Sequence, residues 1–77
     1  MEHRLLEEPS QVDVVASGRA TRELGLLRRR FGGRNWRKLK GVARVELPSG
    51  RVRRAEVHWY ECHGVGRRMM KVKRLLD

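Results

Sequence analysis

The sequence predicts a single α+β domain, in which an N-terminal helix packs on an antiparallel meander of three or four strands. Apolar residues recur every three or four positions up to Phe31, as on one face of a helix. After Gly41 the apolar period changes to two, as in strands with one buried face. Pro48-Ser49-Gly50 then supplies residues typical of a tight turn. A chain of 77 residues can form one such domain, with a thin core.

The N-terminal third allows two interpretations. We expect residues 1–9 to form a flexible leader and residues 10–77 to form the domain. Ser10-Gln11-Val12-Asp13 has the S-x-x-D form of a capping box, which predicts that a helix starts there. Alternatively, residues 11–16 form a short strand, because Val12 and Val14 alternate, and this would be the fourth strand.

The firmest helix runs from about Ala20 to Phe31, and Gly32-Gly33 ends it. Alternation then predicts three strands, separated by turns at residues 48–50 and 64–66. We expect the last strand to be an edge, with Met69 and Leu75 on the face away from the helix. The helix would cover the apolar face of the strands, which gives a core of Leu24, Leu27, Phe31, Val45, Leu47, Ala55, Val57, Trp59, Met70 and Val72.

The charge is strongly positive and unevenly placed. The formal net charge is +10, from 19 basic and 9 acidic side chains. Residues 1–23 hold three basic and five acidic side chains (net −2), and residues 24–77 hold sixteen and four (net +12). A field of this strength in a small domain attracts phosphate backbones, so the sequence predicts a nucleic-acid partner.

One face of the predicted sheet collects residues that could act on RNA. If the helix covers Ala55, Val57 and Trp59, the opposite face is left open and concave, and it carries Arg44, Glu46, Arg54, Glu56, His58, Tyr60, Lys71 and Lys73. An acid, a base and fixed cations are the groups that metal-free RNA cleavage requires. His58 and Glu56 are therefore candidate catalytic residues, and Tyr60 could stack on a base. The plainer alternative is an ordinary half-exposed histidine, with Glu56 balancing a nearby cation.

A basic block precedes the strands. Residues 27–38 hold six cations around two aromatic rings and two glycines, a mixture that suits RNA phosphates and stacked bases. The alternative is a helix end whose arginines offset the helix dipole. The nucleic-acid contacts predicted here and in the later glycine-rich turn are Arg28, Arg29, Arg30, Arg34, Trp36, Arg37, Lys38, His63, Arg67 and Arg68.

The sequence predicts no cofactor and no metal. His58, Cys62 and His63 supply three potential zinc ligands, whereas a closed structural zinc site needs four. The lone thiol of Cys62 is typical of the reducing cytoplasm. The acidic N-terminus does not resemble a signal peptide, and no apolar run reaches the roughly 20 residues of a membrane span. We therefore expect a cytoplasmic protein without a membrane partner.

Two resemblances add to these predictions. The run from Ala55 to Arg67, AEVHWYECHGVGR, resembles a signature of small uncharacterised bacterial proteins, which implies no particular activity. A helix before a basic meander also resembles, in architecture, the RelE/barnase-like small ribonucleases, which include toxins of toxin–antitoxin pairs. That resemblance covers residues 20–77 and implies an acid–base role for His58 and Glu56. It implies phosphate contacts for Arg44, Arg54, Lys71 and Lys73.

We therefore expect a basic protein directed at nucleic acid, with RNA favoured over DNA. It could be a metal-independent endoribonuclease of the toxin type, with an acidic antitoxin-like partner. The alternatives are a non-catalytic nucleic-acid-binding module and a basic subunit that docks an acidic protein. The thin core also favours a homodimer.

Overall fold

The computed structural model describes residues 3–17 and 22–76, and most of them lie in one antiparallel sheet. Of these described residues, 59% lie in strands and 14% in a helix. The elements in chain order are β1 (Arg4–Leu5), β2 (Ser10–Ser17), α1 (Arg22–Phe31), β3 (Arg37–Glu46), β4 (Val52–Cys62) and β5 (Gly66–Leu75). β1 and β2 both pair with β3, which pairs with β4, which in turn pairs with β5.

The predicted N-terminal helix on a three-stranded meander is wrong. Within the described residues, the only helix is α1, which lies in the middle of the chain, and residues 10–17 form β2. The strand alternative for residues 11–16 therefore describes this segment. The Ser10 hydroxyl donates to the Val42 carbonyl of β3 (3.3 Å) instead of capping a helix. Three valines within four residues favour an extended strand, and β3 offers it an edge to pair with.

The hairpins form at the predicted turns. Gly50 adopts φ 90°, and its N–H donates to the Leu47 carbonyl (2.8 Å) between β3 and β4. The Val65 N–H donates to the Cys62 carbonyl (3.1 Å) between β4 and β5. β5 is an edge strand as expected, since β4 is its one neighbour in the described sheet.

The sheet curls around an inner core. Its buried members come from alternate positions of β3 and β4: Leu39, Ala43, Val45, Ala55, Val57 and Trp59. The partly buried side chains that pack against them are Leu5, Leu47, Met70, Val72 and Leu75. None of these residues belongs to α1, so the curvature of the sheet encloses the core that the helix was expected to cover.

The helix packs on the opposite face. Leu24 and Leu27 of α1 form a second core with Trp36, Tyr60 and Cys62. The physical reason lies in β4, whose last residues are apolar on both faces: Trp59 enters the inner core, and Tyr60 and Cys62 enter the outer one. The sheet alone cannot bury both faces, so α1 covers the outer one at this end.

Two further contacts join distant parts of the sheet. Arg67 of β5 pairs with Glu8, which follows β1 (2.7 Å), so an exposed ion pair links the two edges of the curled sheet. A Cβ on Gly41 of β3 would lie 3.0 Å from Pro9 Cβ and 3.2 Å from the Trp59 ring, so the β1–β2 connection packs directly against the β3 backbone.

In the part of the chain that the structure describes, no helix has the length and apolar character needed to cross a membrane.

Candidate nucleic-acid interface

The outer face of the sheet brings together cations from three strands. Strand register places Lys38 and Arg68 on either side of Tyr60, and Lys40 and Lys71 on either side of His58. Glu56 lies between Val42 and Arg74, and Arg54 lies opposite Arg44. The sequence thus placed Glu56, His58, Tyr60 and Lys71 correctly on one face. That face is the outside of the curled sheet and not the concave surface we expected.

His58 and Glu56 form a hydrogen-bonded pair. His58 Nε2 lies 2.7 Å from Glu56 Oε2, and Arg74 bonds the other oxygen of Glu56 at 3.2 Å. The hydrogen bond from His58 lowers the pKa of Glu56, and the nearby Arg74 charge lowers it further. The His58 side chain is only 11% exposed, and its Nδ1 is buried without a partner. Nε2 is therefore already engaged by Glu56, and Nδ1 is enclosed by the protein.

Tyr60 and Glu23 form a second pair, which joins β4 to α1. The Tyr60 hydroxyl donates to Glu23 Oε2. This bond lowers the pKa of Glu23, and the charges of Lys38, Lys71 and Lys73 act in the same direction. Burial raises the pKa of Tyr60 to about 12, and the bond to Glu23 contributes to that shift. Glu23 is therefore held as a carboxylate, fixed by a phenol and surrounded by ammonium groups.

A groove runs between α1 and β5 beside this pair. Its volume is about 280 Å³, and we call it the helix–β5 groove; it is lined by Glu23, Leu26, Leu27, Arg30, Tyr60, Met69 and Lys71. Leu26 and Met69 remain 47% and 52% exposed, although both are apolar. Met69 lies in the groove because β5 is irregular between its pairings with His58 and Tyr60, and Met69 itself has φ 61°. Our prediction that Met69 faces away from the helix is therefore wrong, and this bulge is the reason.

Arginines gather around Phe31 at the end of α1. The guanidinium groups of Arg30 and Arg68 lie 5.2 and 5.5 Å from the centre of the Phe31 ring. Lys38 lies in the same way 5.7 Å from the Tyr60 ring centre. Such cation–π contacts hold the charges in place without neutralising them.

Trp36 does not lie on this surface. It is buried in the second core, packs 6.1 Å from Phe31 between ring centres, and donates from Nε1 to the Gly32 carbonyl (2.8 Å). Tyr60 is likewise buried, so neither ring offers a free face on which a base could stack.

The other predicted contacts divide into two groups. Arg28, Arg29, Arg34 and His63 are exposed. Arg37, Arg44 and Arg67 are bonded to Glu61 (3.2 Å), Glu7 (2.7 Å) and Glu8 (2.7 Å), respectively. The bond from Arg44 lowers the pKa of Glu7. Arg54 also has an interaction partner.

Sequence reasoning missed several residues of this surface, namely Glu23, Leu26, Lys40 and Arg74. Lys40 was detectable, because it alternates with apolar residues of β3. Arg74 was not, because alternation assigns it to the face of Met70 and Val72, and a register shift between Glu56 and Val57 places it opposite Glu56 instead. Glu23 and Leu26 were not, since the predicted helix was placed on the other face of the sheet. No group of three or more side chains able to bind a metal occurs among residues 3–17 and 22–76.

Comparison with known proteins gives no match to this chain, whether with protein-family models, with curated proteins or with solved structures.

Proposed function

We propose that this protein binds single-stranded RNA without cleaving it, through the cations around Phe31 and the helix–β5 groove. One observation carries the proposal: five glutamates pair with arginines that do not line the groove, and Glu23, the glutamate that lines it, is bonded to Tyr60. Four cations of this surface therefore form no salt bridge in the part of the chain that the structure describes. The arginines bonded to glutamates are Arg4, Arg37, Arg44, Arg67 and Arg74. No salt bridge within the described residues involves Arg30, Lys38, Arg68 or Lys71.

The type and placement of these cations favour a single strand. Guanidinium planes held against Phe31 can stack on an unpaired base or bond a phosphate in a forked geometry. The groove beside them has exposed apolar walls, which suit a base turned out of the strand. Regular duplexes bury their bases and leave such walls without a ligand.

The geometry of His58 favours binding over cleavage. A general base must reach the ribose 2′-hydroxyl at about 2.6–3.2 Å. His58 Nε2 is instead bonded to Glu56, and Nδ1 is buried. Each atom that could move a proton would need a rearranged side chain before it touched RNA.

Salt titration tests the binding proposal. We expect the affinity for a labelled single-stranded RNA, measured by fluorescence anisotropy, to fall on the order of 10³-fold between about 50 and 200 mM salt if six or more phosphates are engaged. Lys71→Ala should weaken binding and reduce the salt slope by about one. Arg4→Ala is the matched control. It also removes one positive charge, but that charge is already paired with Glu46. Absence of binding at low salt, or a flat salt response, would contradict the proposal.

Incubation of labelled RNA with wild-type protein and excess EDTA tests the absence of cleavage. We expect the RNA to stay intact. Cleavage that disappears in His58→Ala would show the non-catalytic proposal to be wrong and would support the acid–base role predicted for His58 and Glu56.

A further inference from the structure

We propose that the helix–β5 groove binds a single unstacked guanine base, with Glu23 as the residue that recognises it. This inference rests on the proposed binding of single-stranded RNA and names the base that the surface selects. It is carried by the position and bonding of Glu23, by the exposed apolar walls, and by the cations beside them.

The groove has the size and walls that a base needs. A volume of about 280 Å³ is close to the lower end of small-molecule pockets and suits one nucleobase better than a stacked pair. Leu26 on α1 and Met69 on β5 are both about half exposed and could contact the two faces of a planar ring. Arg30 and Lys71 line the same groove and could hold the flanking phosphates.

The backbone at Met69 is consistent with a ligand-binding wall. Met69 has φ 61°, in the left-handed region that disfavours a non-glycine residue, and it lies at an irregularity of β5. Backbone strain of this kind persists where the surrounding structure fixes it, and it often occurs at binding sites. Here it keeps an exposed apolar side chain beside α1.

Glu23 supplies the base preference. A carboxylate only accepts hydrogen bonds, and the Tyr60 hydroxyl fixes this one through Oε2. Guanine presents two adjacent donors, N1–H and the N2 amino group, which match the two oxygens of a carboxylate. Uracil offers one donor between two acceptors, and adenine and cytosine place a ring acceptor beside their amino group. Only guanine can donate twice to Glu23 without facing it with a lone pair.

The test uses wild-type protein and oligouridines of about ten nucleotides with one central guanosine, inosine or adenosine. We expect the guanosine oligomer to bind on the order of tenfold more tightly than the adenosine oligomer or plain oligouridine. Inosine lacks the N2 amino group, so its oligomer should lie between them. Equal affinity for all four, with a steep salt dependence, would overturn the guanine assignment and leave RNA binding standing. Failure of all four to bind at low salt would overturn the proposed function itself.

A pair of variants assigns the preference to Glu23. Glu23→Gln should abolish the difference between guanosine and adenosine and raise the affinity for plain oligouridine, because a negative charge is removed. Glu46→Gln is the control, because it also removes one negative charge. Glu46 pairs with Arg4 (3.1 Å) at the end of β3 that is distant from Tyr60, so this variant should keep the preference. A preference that survives in folded Glu23→Gln would contradict our assignment. The comparison of oligomers on wild-type protein does not depend on either variant folding.

Discussion

Gly33 lies where the end of α1 meets the end of β4. It has φ 77°, and a Cβ there would lie 2.7 Å from Cys62 Sγ and 3.0 Å from Val65 Cγ2. Its neighbour Gly32 has φ 75°, but its Cβ would meet nothing within 4 Å. The two glycines therefore share one backbone conformation and differ in the space around them.

This difference predicts that alanine substitutions at the two glycines lower the free energy of unfolding by unequal amounts. Gly32→Ala should lower the free energy of unfolding by about 1 kcal/mol, the cost of a left-handed alanine. Gly33→Ala should lower it by about 3 kcal/mol, because overpacking against Cys62 and Val65 adds to the same backbone cost. Urea unfolding followed by tryptophan fluorescence measures both. Equal losses would mean that the Cys62 contact does not constrain this junction.

Tyr60 gives a second prediction at this scale, because it is the single tyrosine of the chain. Its pKa is raised to about 12 from an ordinary value of 10.0, so the folded state keeps a proton that the unfolded state loses. This stabilisation should be fully present below pH 10 and disappear as the pH rises from 10 to 12. The ultraviolet absorbance of phenolate reports the titration directly.

The control for Tyr60 is Glu23→Gln, which should move the titration toward lower pH because an anion beside the phenol is lost. Burial is the largest cause of the raised pKa and is unchanged in this variant, so we expect the move to be partial. A wild-type tyrosine that titrates near 10 would show that the bond to Glu23 and the burial of the ring are absent in solution.

Residue identity alone could not locate the rings of Trp36 and Tyr60. Trp36 follows arginines and glycines and was therefore predicted to face RNA, whereas it is buried beside Phe31. Tyr60 follows the polar alternation of β4 correctly but is covered by α1. Periodicity reports which face of a strand a residue occupies. It does not report which faces another element will cover.

At the scale of elements, the two edges of the sheet differ in charge. β5 carries five basic and no acidic residues. In β2 the single charged residue is Asp13. β2 also exposes Val12, Val14 and Val15. Two copies of β5 would repel each other, whereas two copies of β2 could pair without that cost. The homodimer that the thin core favours should therefore form through β2 and not through β5.

Sedimentation velocity tests this edge. We expect wild-type protein to self-associate at micromolar concentrations, and we expect Val14→Lys to shift it toward monomer by placing a charge on the edge. Val52→Lys is the matched control, because Val52 is 50% exposed, much like Val14 at 52%, but lies at the start of β4, opposite Glu46 of β3, and not on the β2 edge. A thermally stable wild-type monomer at these concentrations would exclude the dimer.

The strands after Gly41 were predictable, because their alternation and their turn residues agree. The segment before α1 was not, since Val12, Ala16 and Ala20 fit a helical spacing while Val12 and Val14 fit a strand. Pairing with β3 decides between them, and the paired residues lie twenty or more positions apart in the sequence. The position of α1 depends on the curvature of the whole sheet, which short sequence windows do not contain.

For the whole molecule, the dominant feature is unbalanced charge. The net charge is +10, and the five arginine–glutamate pairs that the structure describes lie on partly or fully exposed side chains. Exposed pairs of this kind contribute little stability. Repulsion among the remaining cations should therefore outweigh them.

We accordingly expect added salt to stabilise the fold. Raising sodium chloride from about 10 mM to about 1 M shortens the screening length from about 30 to about 3 Å and should raise the thermal midpoint, measured by circular dichroism. If inorganic polyphosphate binds the folded surface, as we propose for RNA, it should do the same at far lower concentration. A midpoint that falls with salt would mean that the ion pairs outweigh the repulsion.

The rate at which a reagent labels the buried Cys62 thiol reports how often this part of the domain opens locally. Cys62 is the single cysteine of the chain, is buried in the second core, and donates to the Arg34 carbonyl (2.7 Å). A thiol reagent can reach it only after α1 and the loop that follows lift from β4. The labelling rate therefore measures how often α1 and this loop move away from β4. Global unfolding is measured separately, by tryptophan fluorescence. If RNA bridges α1 and β5, as we propose, saturation with RNA should slow the labelling of a residue that RNA never touches.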